Sequence, residues 1–95
     1  MEYNIVHNEA ESRFETQIEG LTSLVDYKKR ENLFLVTHTE VPPQLEGRGI
    51  AAALTKTLLD YIRENGFKVR PVCPYTKAYI QRHPEYNDIV AGHEG

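Results

Sequence analysis

With one cysteine among 95 residues, Cys73, the chain has no internal disulfide to add to its stability. A domain of this size buries only about two thirds of the surface that its unfolded form exposes, so the core works with a narrow margin. A lone thiol also fits a reducing compartment, and the cytoplasm is the expected location. Long apolar runs are missing too. Leu33 to Val36 and Ile50 to Leu54 fall far short of the roughly 20 residues of a bilayer span. Met1-Glu2-Tyr3-Asn4 has neither the basic nor the apolar region of a secretory signal. Nor is there an excess of positive charge. Eleven basic and 14 acidic residues leave a net charge of −3, spread along the sequence, so neither a nucleic acid nor a membrane is an expected partner. Without repeats, low-complexity stretches or linkers, residues 1–95 read as a single domain.

What is present is a change of period near residue 42. Before it the pattern is that of strands. Phe14, Thr16 and Ile18 alternate with polar residues from Arg13 to Glu19, and Leu21, Val25 and Tyr27 continue the pattern after a turn at Glu19-Gly20. Lys28-Lys29-Arg30-Glu31-Asn32 reads as a second, charged turn. Leu33 to Val41 follows, and its unbroken apolar start predicts a central strand covered on both faces. Tyr3 to His7 offers a short edge strand.

After Pro42-Pro43, Ile50, Leu54, Leu58, Tyr61 and Ile62 form one stripe of an amphipathic helix from Gly49 to Asn65, closed by Asn65-Gly66. Phe67 to Cys73 alternates again, and a strand–helix–strand unit of this length predicts a right-handed parallel crossover. Pro71 has no N–H for a sheet ladder, so its strand lies at an edge, carries a bulge or leaves its neighbour there. A last helix is predicted from Tyr75 to His83. Ile89-Val90 could close an edge.

Gly47-Arg48-Gly49, between strand and helix, lets backbone N–H groups approach a ligand at a helix N-terminus, where a pyrophosphate is a natural occupant. A tight helix entry explains the same glycines. No Gly-Lys-Ser or Gly-Lys-Thr follows, which excludes a Walker loop. Gly47-Arg48-Gly49-Ile50-Ala51-Ala52 satisfies a relaxed Rossmann pattern. That fold begins a mostly parallel sheet, however, and here hairpins precede the loop.

The whole loop, Gln44-Leu45-Glu46-Gly47-Arg48-Gly49, resembles the Q/R-x-x-G-x-G/A loop of the GNAT acyltransferases, and the order of elements agrees. Thr39-Glu40-Val41-Pro42-Pro43, Cys73-Pro74-Tyr75 and His83-Pro84-Glu85-Tyr86 resemble a small single-domain branch of that superfamily. The resemblance implies an α/β (α+β) fold. Its sheet is mixed and mostly antiparallel, with a long helix after the central strand and a splayed parallel strand. It also implies transfer of an acetyl group from acetyl-CoA to an amine acceptor. The cofactor would lie against Val41, the loop residues Gln44, Leu45, Glu46, Gly47, Arg48 and Gly49, then Ile50 and Ala51, and Tyr79 and Arg82 of the last helix. Helices that normally build an acceptor pocket are not in this sequence.

Acyl transfer needs a base for the amine and a donor or stabiliser for the departing thiolate. Glu40 and His38 share a strand face near the expected opening, and either could be the base. A solvated carboxylate and a half-buried sheet histidine describe them equally. Tyr79 matches the family's tyrosine near the cofactor sulfur, and a core aromatic is the other reading. Cys73 ends a strand where a following helix would lower its pKa, so it could take the acyl group itself; it also shares an apolar face with Phe67 and Val69. His7 and His93 have no partners at metal-ligand spacing, and no metal is predicted. A non-catalytic module that binds CoA or a protein through the same cleft is the alternative function.

Overall fold

Alternating side chains build the sheet, and the burial pattern of each strand shows which face they serve. The computed structural model describes residues 3–92, so His93 lies outside the described residues. Strands β1 (Val6–Asn8), β2 (Arg13–Ile18), β3 (Leu21–Arg30), β4 (Leu33–Glu40) and β5 (Lys68–Pro71) lie side by side in that order. The first four are antiparallel, and β5 joins β4 in parallel. Phe14, Val25, Tyr27, Phe34, Val36 and Val69 are buried against helix α1 (Ile50–Glu64). Helix α2 (Pro74–Arg82) and a 3-10 turn at Pro84–Ile89 flank α1. The Tyr86 hydroxyl of that turn donates to Asp60 of α1 at 2.6 Å.

The predicted α1 stripe is buried at Ile50, Leu54, Leu58 and Ile62, and Thr55 and Leu59 are buried as well. A single-stripe helix pattern does not anticipate this second seam, which arises because α1 packs on the sheet and on its flanking elements together. At the C-terminus Gly66 takes φ +73°, and the Phe67 N–H reaches back to the Ile62 carbonyl at 2.9 Å. This is the left-handed cap that glycine permits at no steric cost.

Five expectations need correction. Lys28-Lys29-Arg30 is the end of β3 and not a turn, because Arg30 pairs with Leu33 and only Glu31-Asn32 remain to reverse the chain. The cations fit a strand because they extend past its faces; the Lys29 ammonium stands 4.8 Å over the Phe67 ring. Only one face of β4 is covered, and Leu33 and Leu35 are half-buried on the other. The edge strand starts at Val6 and not at Tyr3, where pairing with Arg13 to Glu15 becomes available. Helix α2 opens one residue early with Pro74 in its first turn, where a missing N–H costs nothing. Finally, β5 ends at Pro71 rather than Cys73. Val90 bridges Val69 on the outer side of β5, as the Ile89-Val90 edge anticipated.

An aromatic group ties the N-terminal edge to the core. His7 stacks on Phe14 with centroids 4.1 Å apart and shares a 2.6 Å hydrogen bond with the Tyr27 hydroxyl. Burial lowers its pKa below 6.5, with Glu9 partly offsetting.

Two stability outcomes follow from this packing. Leu58 is fully buried on α1, and Leu58→Ala should cost roughly 3 kcal/mol in urea unfolding. The unfolded chain binds the His7 proton more tightly than the folded one, so stability should hold above the ordinary histidine pKa of 6.5 and decline as pH falls below it. Unfolding followed across that range should show the decline in the native chain and a flatter profile in His7→Phe; identical profiles would remove His7 as the cause.

Candidate active site

The site begins where β5 leaves β4. The two strands pair from Leu33 and Lys68 to Val36 and Pro71. Lys68 donates inward to the Asn32 carbonyl, while the Val69 carbonyl points outward and accepts from Ala91. Alternation therefore turns the Pro71 nitrogen outward, away from β4. The strands part at the next step instead. Val72 and Cys73 both donate to the Val36 carbonyl, at 3.0 and 2.8 Å, so Cys73 swings inward out of turn and the chain enters α2. Past this point the Thr39 hydroxyl and Cys73 Sγ, 3.5 Å apart, face each other across the gap.

A cleft of about 470 Å³ opens beside that gap, between Thr39, Glu40 and Val41 on one side and Gly47, Gly49 and Ile50 on the other. Leu45, Glu46, Ala51, Ala52 and Tyr75 complete its wall. Gly47 and Gly49 have φ of +85° and +76°, and a Cβ added to either would meet nothing within 4 Å. They are glycine for their backbone angle and for the open approach it leaves. Gly49 caps α1 without any side-chain hydrogen bond, and no acidic residue stands in the first turn. The first N–H groups of α1 have no intrahelical partner, and the helix dipole adds roughly half a positive charge there.

Arg48 is placed otherwise than the loop pattern suggests. Its guanidinium binds Glu19 of the β2–β3 turn at 2.7 Å, and the Tyr3 hydroxyl donates to its carbonyl. The loop arginine is thus tied to a hairpin. Gln44 is exposed and lies outside the cleft wall, while Leu45 packs in the core beneath it.

The two faces of β4 divide the titratable groups. Thr39 pairs with buried Val25 and shares its face, the side on which Cys73 lies. His38 and Glu40 stand on the opposite face, 3.2 Å apart, with more than half of each side chain exposed. Cys73 is 6% exposed. Burial alone would raise its pKa, but the hydrogen bond with Thr39 and the amides of Thr76 and Tyr75 outweigh it and bring the thiol below its usual range. The Thr76 hydroxyl is fully buried and has no hydrogen-bond partner among the described residues.

Tyr75, expected only as the first residue of the last helix, is the phenol on the cleft wall. Tyr79 lies one helical turn on, buried, its ring stacked on His83 at 4.0 Å and 6.5 Å from that of Tyr75. Burial raises the pKa of both phenols. Arg82 is exposed in the last turn of α2, outside the cleft wall. Its charge is felt at Tyr75. Among the described residues no group of three His, Cys, Asp or Glu could hold a metal ion.

A strand that separates from its parallel neighbour beside a glycine-opened helix is the arrangement the loop sequence resembled, and comparison with known proteins decides the matter. The family model for GCN5-related N-acetyl-transferases matches residues 13–89. The chain belongs to the GCN5-related N-acetyltransferase family. A GCN5-like protein of this class from Staphylococcus aureus, solved in solution, superposes on 97% of the chain and 91% of its own, with a TM-score of 0.75 and 25% identity. Protein NATD1 of Xenopus tropicalis is 30% identical over 84 residues, covering 84% of this chain and 76% of the relative. Human protein NATD1 is 43% identical over 47 residues, 50% of this chain and 42% of the relative, so that alignment spans less than half of the human protein. The mixed sheet, long helix and splayed strand are those of an acetyltransferase fold.

In this acetyltransferase domain the Thr39 hydroxyl is the first support of a low thiol pKa. Thr39→Val should move the Cys73 titration, followed through its Cβ chemical shift by NMR, to higher pH. A titration midpoint unchanged by the substitution would show that Thr39 does not set it.

Proposed function

We propose that this domain transfers an acetyl group from acetyl-CoA to an amine. The observation that carries the reading is the parting of β4 and β5 beside an α1 N-terminus that no side chain caps. A pyrophosphate fits that end of the cleft, because unpartnered N–H groups and a helix dipole offer what it needs and the glycines leave it room. Gly47, Gly49, Ile50 and Ala51 would hold the phosphates, with Glu46 and Leu45 through their backbone, and Val41 would border the pantetheine arm. Gln44 and Arg82 would act from the rim. Arg48 would add its charge only by leaving Glu19. Acetyl-CoA supplies an activated thioester when bound.

The protein's own groups then manage protons. Glu40, on the exposed face of β4, accepts the proton of an amine arriving from solvent, and His38 at 3.2 Å can relay it or orient the carboxylate. Two phenols on α2 are protonated at neutral pH, as free phenols are, and burial raises their pKa further. Tyr79 is the donor to the leaving thiolate that the family resemblance implies, and Tyr75 is the one on the cleft wall.

The low thiol pKa supports a second route for the same reaction. The Cys73 thiolate would take the acetyl group as the CoA thiolate leaves. The amine would then take it from Cys73, restoring the thiol. The openness of the Glu40 side supports a different function, a CoA-binding module without catalysis.

Nitrogen-labelled protein titrated with acetyl-CoA, CoA and NADP should show saturable amide shifts at residues 46–52 with the CoA compounds alone; no shift at millimolar acetyl-CoA would end the acyltransferase reading. With a lysine peptide, spermidine or glucosamine as acceptor, Glu40→Gln should lower turnover by about 100-fold while leaving acetyl-CoA affinity unchanged. Binding without thiol release from any of them would favour the module. An acetyl mass on Cys73 would select the two-step route, and comparing Tyr75→Phe with Tyr79→Phe would identify the donor.

A further inference from the structure

The sheet face opposite α1 carries two rows of the same composition. Cross-strand register sets Leu35 between Lys28 and Arg70, and Leu33 between Arg30 and Lys68. All four cations are exposed and both leucines are half-buried. Val72, two residues beyond Arg70 and so on the same face, is 57% exposed and adds apolar surface at the end of the β5 column. Four of the 11 basic residues of a chain with net charge −3 thus gather on one patch. It lies along β4 toward Leu33, roughly 20 Å from Glu40 at the other end.

Among the described residues none of the four cations makes a salt bridge. Lys68 donates to the Asp88 carbonyl, whose carboxylate is taken by Arg63. Glu31 stands in the adjoining turn. The patch therefore presents positive charge around an apolar centre, offset only partly, by Asp88 near Lys68 and by Asp26 two residues from Lys28 on the same strand face.

Its dimensions select the occupant. The two cation columns lie two strands apart, about 10 Å, which is close to the diameter of an α-helix. A helix lying along β4 would set an apolar stripe on Leu33, Leu35 and Val72 and carry carboxylates on both flanks toward the cations. No aromatic side chain stands in either row to stack a base. The leucines sit lower than the cations around them, which suits a cover of matching shape better than a lipid surface. We propose that this face docks an acidic amphipathic helix of a partner protein, at a site separate from the catalytic cleft.

A helical peptide with a leucine stripe flanked by glutamates is the probe, titrated into the nitrogen-labelled chain. Shifts confined to residues 28–35 and 68–72, weakening as salt rises, are expected. Lys28→Glu with Arg70→Glu should weaken binding at least about tenfold. The acetyl-CoA shifts at residues 46–52 should persist in that variant, which shows that it folds and reads the cleft independently. Should the variant not fold, the salt dependence of the native chain carries the test. The proposal is overturned if millimolar peptide causes no shift, if a peptide of scrambled order binds equally, or if phosphatidylserine vesicles or a DNA duplex shift the same amides at lower concentration.

Discussion

The carbonyl oxygen of Val36 accepts two backbone N–H groups, and the site depends on that sharing. With a single donor, β5 would run on beside β4 and its next residues would close the gap. By accepting Cys73 as well as Val72, the carbonyl turns the chain inward one residue early and starts α2 at Pro74. The gap beside Thr39, the position of Cys73 at a helix N-terminus and the place of Tyr75 on the cleft wall all descend from this shared acceptor.

Because the site is built at the end of one strand, its chemistry is sorted by the faces of that strand. Thr39 and Cys73 look toward the core, where hydrogen bonds can hold a thiol at low pKa against the cost of burial. Glu40 and His38 look toward solvent, where a polar acceptor can arrive without crossing packed side chains. The loop at Gly47 and Gly49 lines the same cleft as Thr39 and Glu40. On the function proposed above, a few residues of strand would separate the place where an acyl group is handled from the place where an amine is met.

Much of this was legible in the sequence wherever local period and burial agree. The strands of the hairpins, the α1 stripe and the parallel crossover follow from alternation, helical spacing and the length of the connection. The charged stretch Lys28 to Arg30 was read as a turn because charge marks solvent; a long cationic side chain reaches solvent from a strand as readily. Pro71 was read as placing its strand at an edge, on a bulge or apart from its neighbour; β5 is the outermost strand, and strand parity sends the proline nitrogen to its outer side, a choice among the three that no composition rule makes. Arg48 was assigned to the ligand as a member of the loop that resembles the family's. Its partner Glu19 lies 29 positions earlier, a distance in sequence at which spacing carries no signal. Tyr75 and Tyr79 share a helix face, and only packing against His83 and Tyr86 shows which of them is withdrawn from the cleft.

The outward turn of the Pro71 nitrogen has a further effect at the margins of the sheet. A free strand edge is a template on which another chain can pair, and a domain with a slender stability margin exposes its edges often. At one border a proline offers no donor beyond Val69, and Val90 covers what remains with a single bridge. At the other, β1 is three residues long before Glu9–Glu11 bends away in a 3-10 turn. Among the described residues both outermost pairings are brief, which leaves little regular ladder at either rim for a foreign strand to extend.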